Sequence, residues 1–486
     1  MPSRILSPSG PSAGRRAAGA SGTPPTGGDL DGTVARLGGA LRRHQGTIRG
    51  VQWAVIAVYA VLVIVPAFLP LPDRTAHLWS NLTLAAAFAF WGLWWPLVLV
   101  SMVLVGRSWC GLLCPEGALT EIASRRSLGR AVPRWLTWRG WPLTAFVLTT
   151  VYGQMVSVYQ YPMPALLVLG GSTLAAIAVG LVYGRDKRVW CRYLCPVNGV
   201  FELLSKLAPV AFQVDRAAWA TSPHPVGGRE AFNCAPLVPV RRMRGAGSCH
   251  MCGRCTGHRG AVSLALRSPD HEIVRVAGDE PNPWQTALIL IGLMGVAAGA
   301  FHWTGSGLLV RARSVVATWL VDHGATWPLE GLAPWWLLTN YPAQNDVLTL
   351  LDGALLVAYV AAVALAHGAV LGALLLAAAW VATPDADVRR RFHHLVQALI
   401  PIAGCGVFLG LSAVTVSMLR SEGVTTPFVG LLRASLLAGA VLWSGWLAWQ
   451  VAGLTAGGLR RAAATGLVSA ACLFAAAGWA ALFWLR

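Results

Sequence analysis

GRSWCGLLCPEGALTE, Gly106–Glu121, and KRVWCRYLCPVNGVFE, Lys187–Glu202, are two copies of one pattern. A shift of 81 residues sets Arg107 on Arg188, Trp109 on Trp190, Cys110 on Cys191, Leu113 on Leu194, Cys114 on Cys195, Pro115 on Pro196 and Glu121 on Glu202. Seven identities in sixteen positions, with Trp, Cys and Pro among them, mark an internal repeat. Each copy follows two apolar runs: Gln52–Pro70 with Leu82–Val105, then Leu143–Tyr159 with Ala165–Tyr183. Two crossings return a chain to the side it left, so both cysteine pairs are expected at one membrane face.

The composition agrees with a membrane setting. Of 486 residues, 55% are hydrophobic and 12% charged, at mean hydropathy +0.57. Soluble domains carry about 25% charged residues, so an ordinary cytosolic enzyme is excluded. Five more apolar runs follow, Trp284–Trp303, Val347–Val381, Leu395–Leu419, Phe428–Leu454 and Ala462–Leu485. Each exceeds the ~17 residues that cross a bilayer. Val347–Val381 reads as one long tilted helix or as two short ones turning at His367-Gly368. Net charge is +18, and basic residues gather on the cytoplasmic side of membrane proteins. One helix puts Arg389-Arg390-Arg391 and Arg460-Arg461 on the same side as the basic stretch Gly184–Pro283, so one helix is favoured.

The prediction is an all-α polytopic membrane protein of about nine transmembrane helices, embedded in the lipid bilayer with its cysteine motifs at the cytoplasmic face. Four segments follow: a disordered Gly/Ser/Pro/Arg-rich arm over 1–45, a four-helix membrane repeat over 46–205, a cytoplasmic segment over 206–283, and a five-helix membrane domain over 284–486. No basic stripe sits on a polar domain, so nucleic acid is not an expected partner.

C-x3-C-P carries chemistry. Residues four apart on a helix share a face, about 5–6 Å between Cβ atoms. Two thiolates so placed, Cys110 with Cys114 or Cys191 with Cys195, can hold two corners of an iron–sulfur cube. Pro after the second cysteine can open the next helix at its first position. The plainer reading, small buried hydrophobes, loses weight because the pair recurs in register. Disulfides do not suit the reducing cytoplasm.

A third group, SCHMCGRC, places Cys249, Cys252 and Cys255 at C-x2-C-x2-C, the ferredoxin spacing for three corners of a [4Fe–4S] cube. The usual continuation to a fourth cysteine is missing. Cys234 is the only other cysteine in this polar segment and the leading fourth ligand. Two clusters then account for eight cysteines, one on Cys110, Cys114, Cys191 and Cys195 and one on Cys234, Cys249, Cys252 and Cys255. Mixed sharing, with a C-x3-C pair joining loop cysteines, stays open, as does structural zinc with His250 or His258 as fourth ligand. Cys405 and Cys472 lie inside apolar runs and read as packing residues.

Paired C-x3-C-P motifs after membrane hairpins, followed by a ferredoxin-like loop, resemble the NapH-type membrane polyferredoxins and the iron–sulfur parts of NosR and CcoG/FixG proteins. The resemblance covers roughly Gln52–Val276. It implies [4Fe–4S] ligation by Cys110, Cys114, Cys191, Cys195, Cys249, Cys252 and Cys255, and a bacterial cytoplasmic membrane location. It also implies electron transfer between the quinone pool and a protein redox partner. The chain departs from the family in carrying one incomplete ferredoxin motif rather than two complete ones, and in the five runs after Trp284. CcoG-like proteins suggest a second reading, an assembly factor or redox-linked regulator of a metalloenzyme. A third, a redox-sensing transporter, lacks a broken-helix pair.

Other residues carry weaker signals. Arg107, Arg188, Arg192, Arg254 and Arg259 are expected to offset thiolate and cluster charge. Glu121 and Glu202 recur by repeat and are read as structural partners of Arg. His367 in mid-span, His393, His394, His302 and Asp352 are candidates for quinol contact, with hydrogen-bonded packing the plainer reading. No paired histidine spacing selects haem, and no glycine-rich nucleotide loop supports flavin.

Overall fold

The computed structural model describes residues 29–73, 75–222, 232–331, 333–383 and 387–484. Among them the chain is helical apart from two short antiparallel hairpins and connecting turns. The first helix, α1 (Asp29–Arg43), corrects one expectation: the part of the arm it covers is helical rather than disordered, while residues 1–28 lie outside the described residues. Val34, Gly38 and Leu41 recur at i, i+4 and i+7, a helical face, and that face lies against the cysteine-rich segment.

Two helical hairpins follow. The first pairs α2 (Gln45–Phe68) with α3 (Leu82–Val105) and leads into α4 (Ser108–Leu112) and α5 (Pro115–Ser124). The second pairs α6 (Trp141–Met155) with α7 (Pro162–Tyr183) and leads into α8 (Val189–Tyr193) and α9 (Asn198–Leu204). Asn81 starts α3 by accepting from the amides of Thr83 and Leu84, meeting the donors a helix start leaves open. A Cβ on Gly180 of α7 would stand 2.6 Å from the Thr120 carbonyl, so glycine lets α5 lie directly on α7. Helices α3 and α7 widen into π-helical turns at Phe88–Trp94 and Leu166–Gly170, and both turns line the cavity below.

The cysteine-rich segment then forms an antiparallel hairpin, β1 (Val210–Val214) with β2 (Val262–Leu266), Val210 opposite Leu266 and Val214 opposite Val262. The C-terminal part contains α10 (Pro283–Gly305), α11 (Gly307–Asp322), α12 (Leu350–Ala382), α13 (Val388–Ser421), α14 (Val429–Ala452) and α15 (Gly458–Trp484). Helix α12 is a single element of 33 residues, started by a capping box between Thr349 and Asp352. The one-helix reading of Val347–Val381 therefore holds. Helix α11 was not foreseen. It buries no side chain and exposes Leu308, Val315 and Trp319, a surface-lying helix beside the spans.

Eight helices among the described residues, α2, α3, α7, α10, α12, α13, α14 and α15, are long and apolar enough to cross a bilayer. The run expected as the ninth, Leu143–Tyr159, is α6, whose 15 residues rise only about 22 Å. Its last carbonyl, that of Met155, accepts from the amide of Thr339 in the loop before α12. The protein is an all-α polytopic membrane protein.

The halves meet at a polar joint. Lys206, buried after α9, donates to Gln285 of α10 and Gln397 of α13, both at 2.8 Å, and Gln285 donates to Glu202 at 3.0 Å. Beside it, Arg267 and Glu272 form a buried pair at 2.7 Å, and Arg267 also donates to the carbonyls of Ser205, Lys206 and Ala208. These bonds hold the hairpin on the membrane end of the first half.

Candidate iron–sulfur site

The sequence placed each C-x3-C pair on one helical face, and the structure corrects this. Helix α4 stops at Leu113, whose φ is −126°, and α5 starts at Pro115. The amides of Leu113 and Cys114 both donate to the carbonyl of Trp109 at 2.9 Å. In the second copy the amides of Leu194 and Cys195 share the carbonyl of Trp190 in the same way. Each second cysteine therefore sits in a helix break. Cys114 is the N-cap of α5, its Sγ accepting from Gly117 N at 3.4 Å, and Pro115 opens the helix as expected.

The two copies converge. Cys110, Cys114, Cys191 and Cys195 line one cavity of about 160 Å³, walled by Trp94, Trp95, Phe201 and the π-helical turns. They lie close enough that a negative charge on one raises the pKa of its neighbours. The second set converges similarly, with Cys234, Cys252 and Cys255 acting on Cys249. Cys234 thus joins the loop that spacing alone left one ligand short. All ten cysteines are free of disulfides.

Burial, ahead of these mutual repulsions, pushes Cys114, Cys195 and Cys249 well above the ordinary thiol range, and Cys191 and Cys255 up to about 12. Such thiols become thiolates when a metal takes their sulfur. No three His, Cys, Asp or Glu side chains among the described residues stand close enough for a single metal ion. Four cysteine sulfurs gathered at one cavity suit a four-iron cube. The histidines of the zinc alternative go elsewhere: His258 packs between Trp219 and Phe232, and His250 lines the cavity of the first set.

Arginine frames both sets. Arg107 and Arg188 are each 2% exposed. Arg188 donates to the Cys110 carbonyl at 2.6 Å and pairs with Glu121 at 2.7 Å. Arg107 donates to Asn198 at 2.7 Å and to the Gly247 carbonyl at 3.0 Å. Each repeat's arginine therefore reaches into the other copy or the loop. Arg254, between Cys252 and Cys255, closes on the other oxygen of Glu121 at 2.7 Å. Arg259 instead lies over the Trp219 ring.

Several residues went unforeseen. Glu116 lines the first cavity, accepts from Trp190 Nε1 at 3.1 Å, and has its pKa raised by burial. Its repeat position is Val197, so the repeat carried no signal for it. Gln45 and Arg42 donate to the carbonyls of Cys252 and Thr256, at 2.9 and 2.6 Å, and so pin the cysteine loop. A second apolar cavity of about 150 Å³ adjoins the first, sharing Trp95, Thr149, Val197 and Phe201 and reaching Ala300 and Phe301 of α10.

The other candidates are engaged elsewhere. His367 bonds the Met294 carbonyl, His393 bonds Thr286, and His394 bonds the Ile273 carbonyl. His302 bonds the carbonyls of Ala298 and Gly478. Asp352 caps α12 and pairs with Arg313 at 2.5 Å. Cys472 is buried in the core and Cys405 packs against it.

Comparison with known proteins fits this geometry. The family described as 4Fe-4S binding domain matches residues 87–135 and 167–214, which hold both C-x3-C-P motifs but not the second set. The chain is similar to YccM of Escherichia coli (strain K12), whose name assigns it to electron transport, at 25% identity over 232 residues, 43% of this chain and 64% of that protein. It is similar to the regulatory protein NosR of Pseudomonas aeruginosa at 26% identity over 180 residues, 33% of this chain but 25% of that protein. The chain thus spans under two thirds of each. No solved structure matches. The methylamine utilization ferredoxin-type protein MauN of Methylorubrum extorquens is 30% identical over 216 residues, 42% of this chain and 73% of that protein. With both repeat motifs inside a 4Fe-4S binding domain and that likeness across most of a relative's length, the chain belongs to the family of ferredoxin-type proteins that includes MauN.

Proposed function

We propose that this protein is a membrane electron carrier of the NapH-like kind, holding two [4Fe–4S] clusters and passing electrons between quinol and a protein redox partner. Cys110, Cys114, Cys191 and Cys195 hold one cluster, and Cys234, Cys249, Cys252 and Cys255 the other. The observation that carries this reading is the gathering of eight cysteines from separate stretches into two sets of four. When bound, each cube supplies one-electron chemistry at a potential set by burial, charge and hydrogen bonds to sulfur.

The chain's own residues supply that setting. Arg107 and Arg188 place fixed positive charge beside the first set, which favours the reduced state. Trp94, Trp95 and Phe201 keep water out. The adjoining apolar cavity suits a quinol ring, with Thr149 at the shared wall. Quinol oxidation releases two electrons and two protons, and Glu116, a buried carboxyl beside the sulfur set, is placed to take a proton. The basic flanks support a cytoplasmic position for this end of the protein.

The likeness to NosR, named a regulatory protein, supports a second reading, a redox-linked regulator. Quinol-driven turnover separates the two, since a carrier sustains it. The main test is anaerobic purification with iron and sulfide quantitation and EPR. About eight iron atoms per chain are expected, from about four per cube. Cys110→Ser and Cys249→Ser should each lower that to about four. A colourless preparation, or serine variants with full iron, overturns the assignment.

A further inference from the structure

We infer that His250 is a positioning residue joining the two cysteine sets: held in the loop of the second, it gives its imidazole N–H to sulfur at the first and so raises the potential of the cluster there. The inference rests on the two-cluster reading above.

His250 belongs by chain to Cys249 and Cys252, yet it lines the cavity formed by Cys110, Cys114, Cys191 and Cys195. It is 3% exposed. Its Nδ1 is buried with no hydrogen-bond partner among the described residues. Buried polar nitrogens are as a rule satisfied, so an unpaired nitrogen on a residue that lines a cysteine-rich cavity points to a bond with what that cavity holds. A neutral imidazole has one N–H to give. An apolar ring would fill the same space without leaving a nitrogen stranded.

The loop is fixed where this bond needs it. A Cβ on Gly111, between Cys110 and Cys114, would collide with the carbonyl oxygen of His250 and crowd the amide of Cys252, so the two cysteine segments touch through backbone. Arg107 holds the Gly247 carbonyl, Arg188 holds that of Cys110, and Gln45 holds that of Cys252. Outer hydrogen bonds to metal-bound sulfur stabilise the more negative, reduced state. Donation from His250 therefore favours electron residence at the first set, while its own backbone runs to two sulfurs of the second.

The test is an EPR-monitored redox titration of the anaerobically purified full-length protein. The signal removed by Cys195→Ser identifies the first-set cluster. His250→Phe should lower its midpoint enough to cut the reduced-to-oxidised ratio about tenfold at fixed poise, 59 mV for a one-electron couple, with iron content unchanged and the second midpoint moving less. His250→Asn and His250→Gln bring an amide N–H to the Nδ1 and Nε2 positions, and one of them should restore the midpoint. Unchanged midpoints in a fully loaded His250→Phe overturn the inference while the carrier reading stands. So does loss of the second-set cluster in all three variants, which makes His250 a packing residue. Wild-type protein without either cluster sinks the carrier reading first and this inference with it.

Discussion

Glu121 holds the two cysteine sets together with a single carboxylate. One oxygen meets Arg188 of the second repeat at 2.7 Å and the other meets Arg254 of the ferredoxin-like loop at 2.7 Å, with Arg125 at 3.8 Å. Burial alone would raise its pKa, but the two close guanidinium groups outweigh burial and lower it. A carboxyl lowered on folding contributes stability that is full above its ordinary value of 4.5 and is lost as pH falls through the folded value. Glu121→Gln strands a guanidinium that is 2% exposed. Breaking such a buried pair costs about 3–5 kcal/mol. Thermal unfolding of the variant should show that loss at neutral pH and a flatter decline on acidification; an unchanged midpoint would remove Glu121 from this role. The repeat marked Glu121 and Arg188 as recurring residues. It could not say that the arginine of one copy serves the glutamate of the other, because identity in register carries no information about which copy a side chain faces. The position of His250 was hidden for a like reason: it depends on the missing side chain of Gly111.

At the level of elements, hydrophobic runs translate into helices wherever length suffices, and the exceptions have physical causes. Leu143–Tyr159 yields the short α6 because Pro162 opens the next helix and the Tyr152–Tyr161 region turns through Ser157, whose φ is +50°. The arm looked unstructured because glycine, proline and arginine dominate it, yet Val34, Gly38 and Leu41 suffice to dock α1 on the hairpin. That docking is what seals the second cysteine set. A Cβ on Gly38 would lie 2.9 Å from Leu264 Cβ of β2, so Gly38→Leu should lift α1 at a cost of about 1–3 kcal/mol. With Gln45 drawn off the Cys252 carbonyl, the second-set cluster should bleach in air several-fold faster than in wild type, while the first keeps its lifetime. Parallel loss of both EPR signals would instead mean that α1 supports the whole cysteine end. The break between α4 and α5 was half foreseen: Pro115 announced the new helix, but the double bond to the Trp109 carbonyl that places Cys114 is a backbone feature no spacing rule contains.

Across the whole molecule, the C-terminal helices complete a space that the repeat alone leaves open. The apolar cavity beside the first cysteine set is walled on one side by Trp95, Thr149 and Phe201 and on the other by Ala297, Ala300 and Phe301 of α10 with Val407 and Leu411 of α13. The histidines and Asp352 singled out in the late runs do not line this cavity; the late helices contribute shape rather than a motif, and small residues such as Ala300 make room. If a quinol ring enters there, filling the room should stop electron entry without touching the sulfur ligands. Ala300→Phe adds an aromatic ring at a position 4% exposed. Overpacking of this kind costs about 1–3 kcal/mol, which a bundle of eight long apolar helices tolerates. The variant should keep wild-type iron and sulfide and full reduction by dithionite. Its reduction by a short-chain quinol should fall at least tenfold. Equal quinol reduction in variant and wild type would move the quinol site elsewhere, and equal loss of dithionite reduction would show that the ring had disturbed the cysteines themselves. Glu116→Gln divides the remaining possibilities. It leaves the cavity's shape intact and removes only the carboxyl that is placed to take a proton, so quinol should still bind and compete while its oxidation slows.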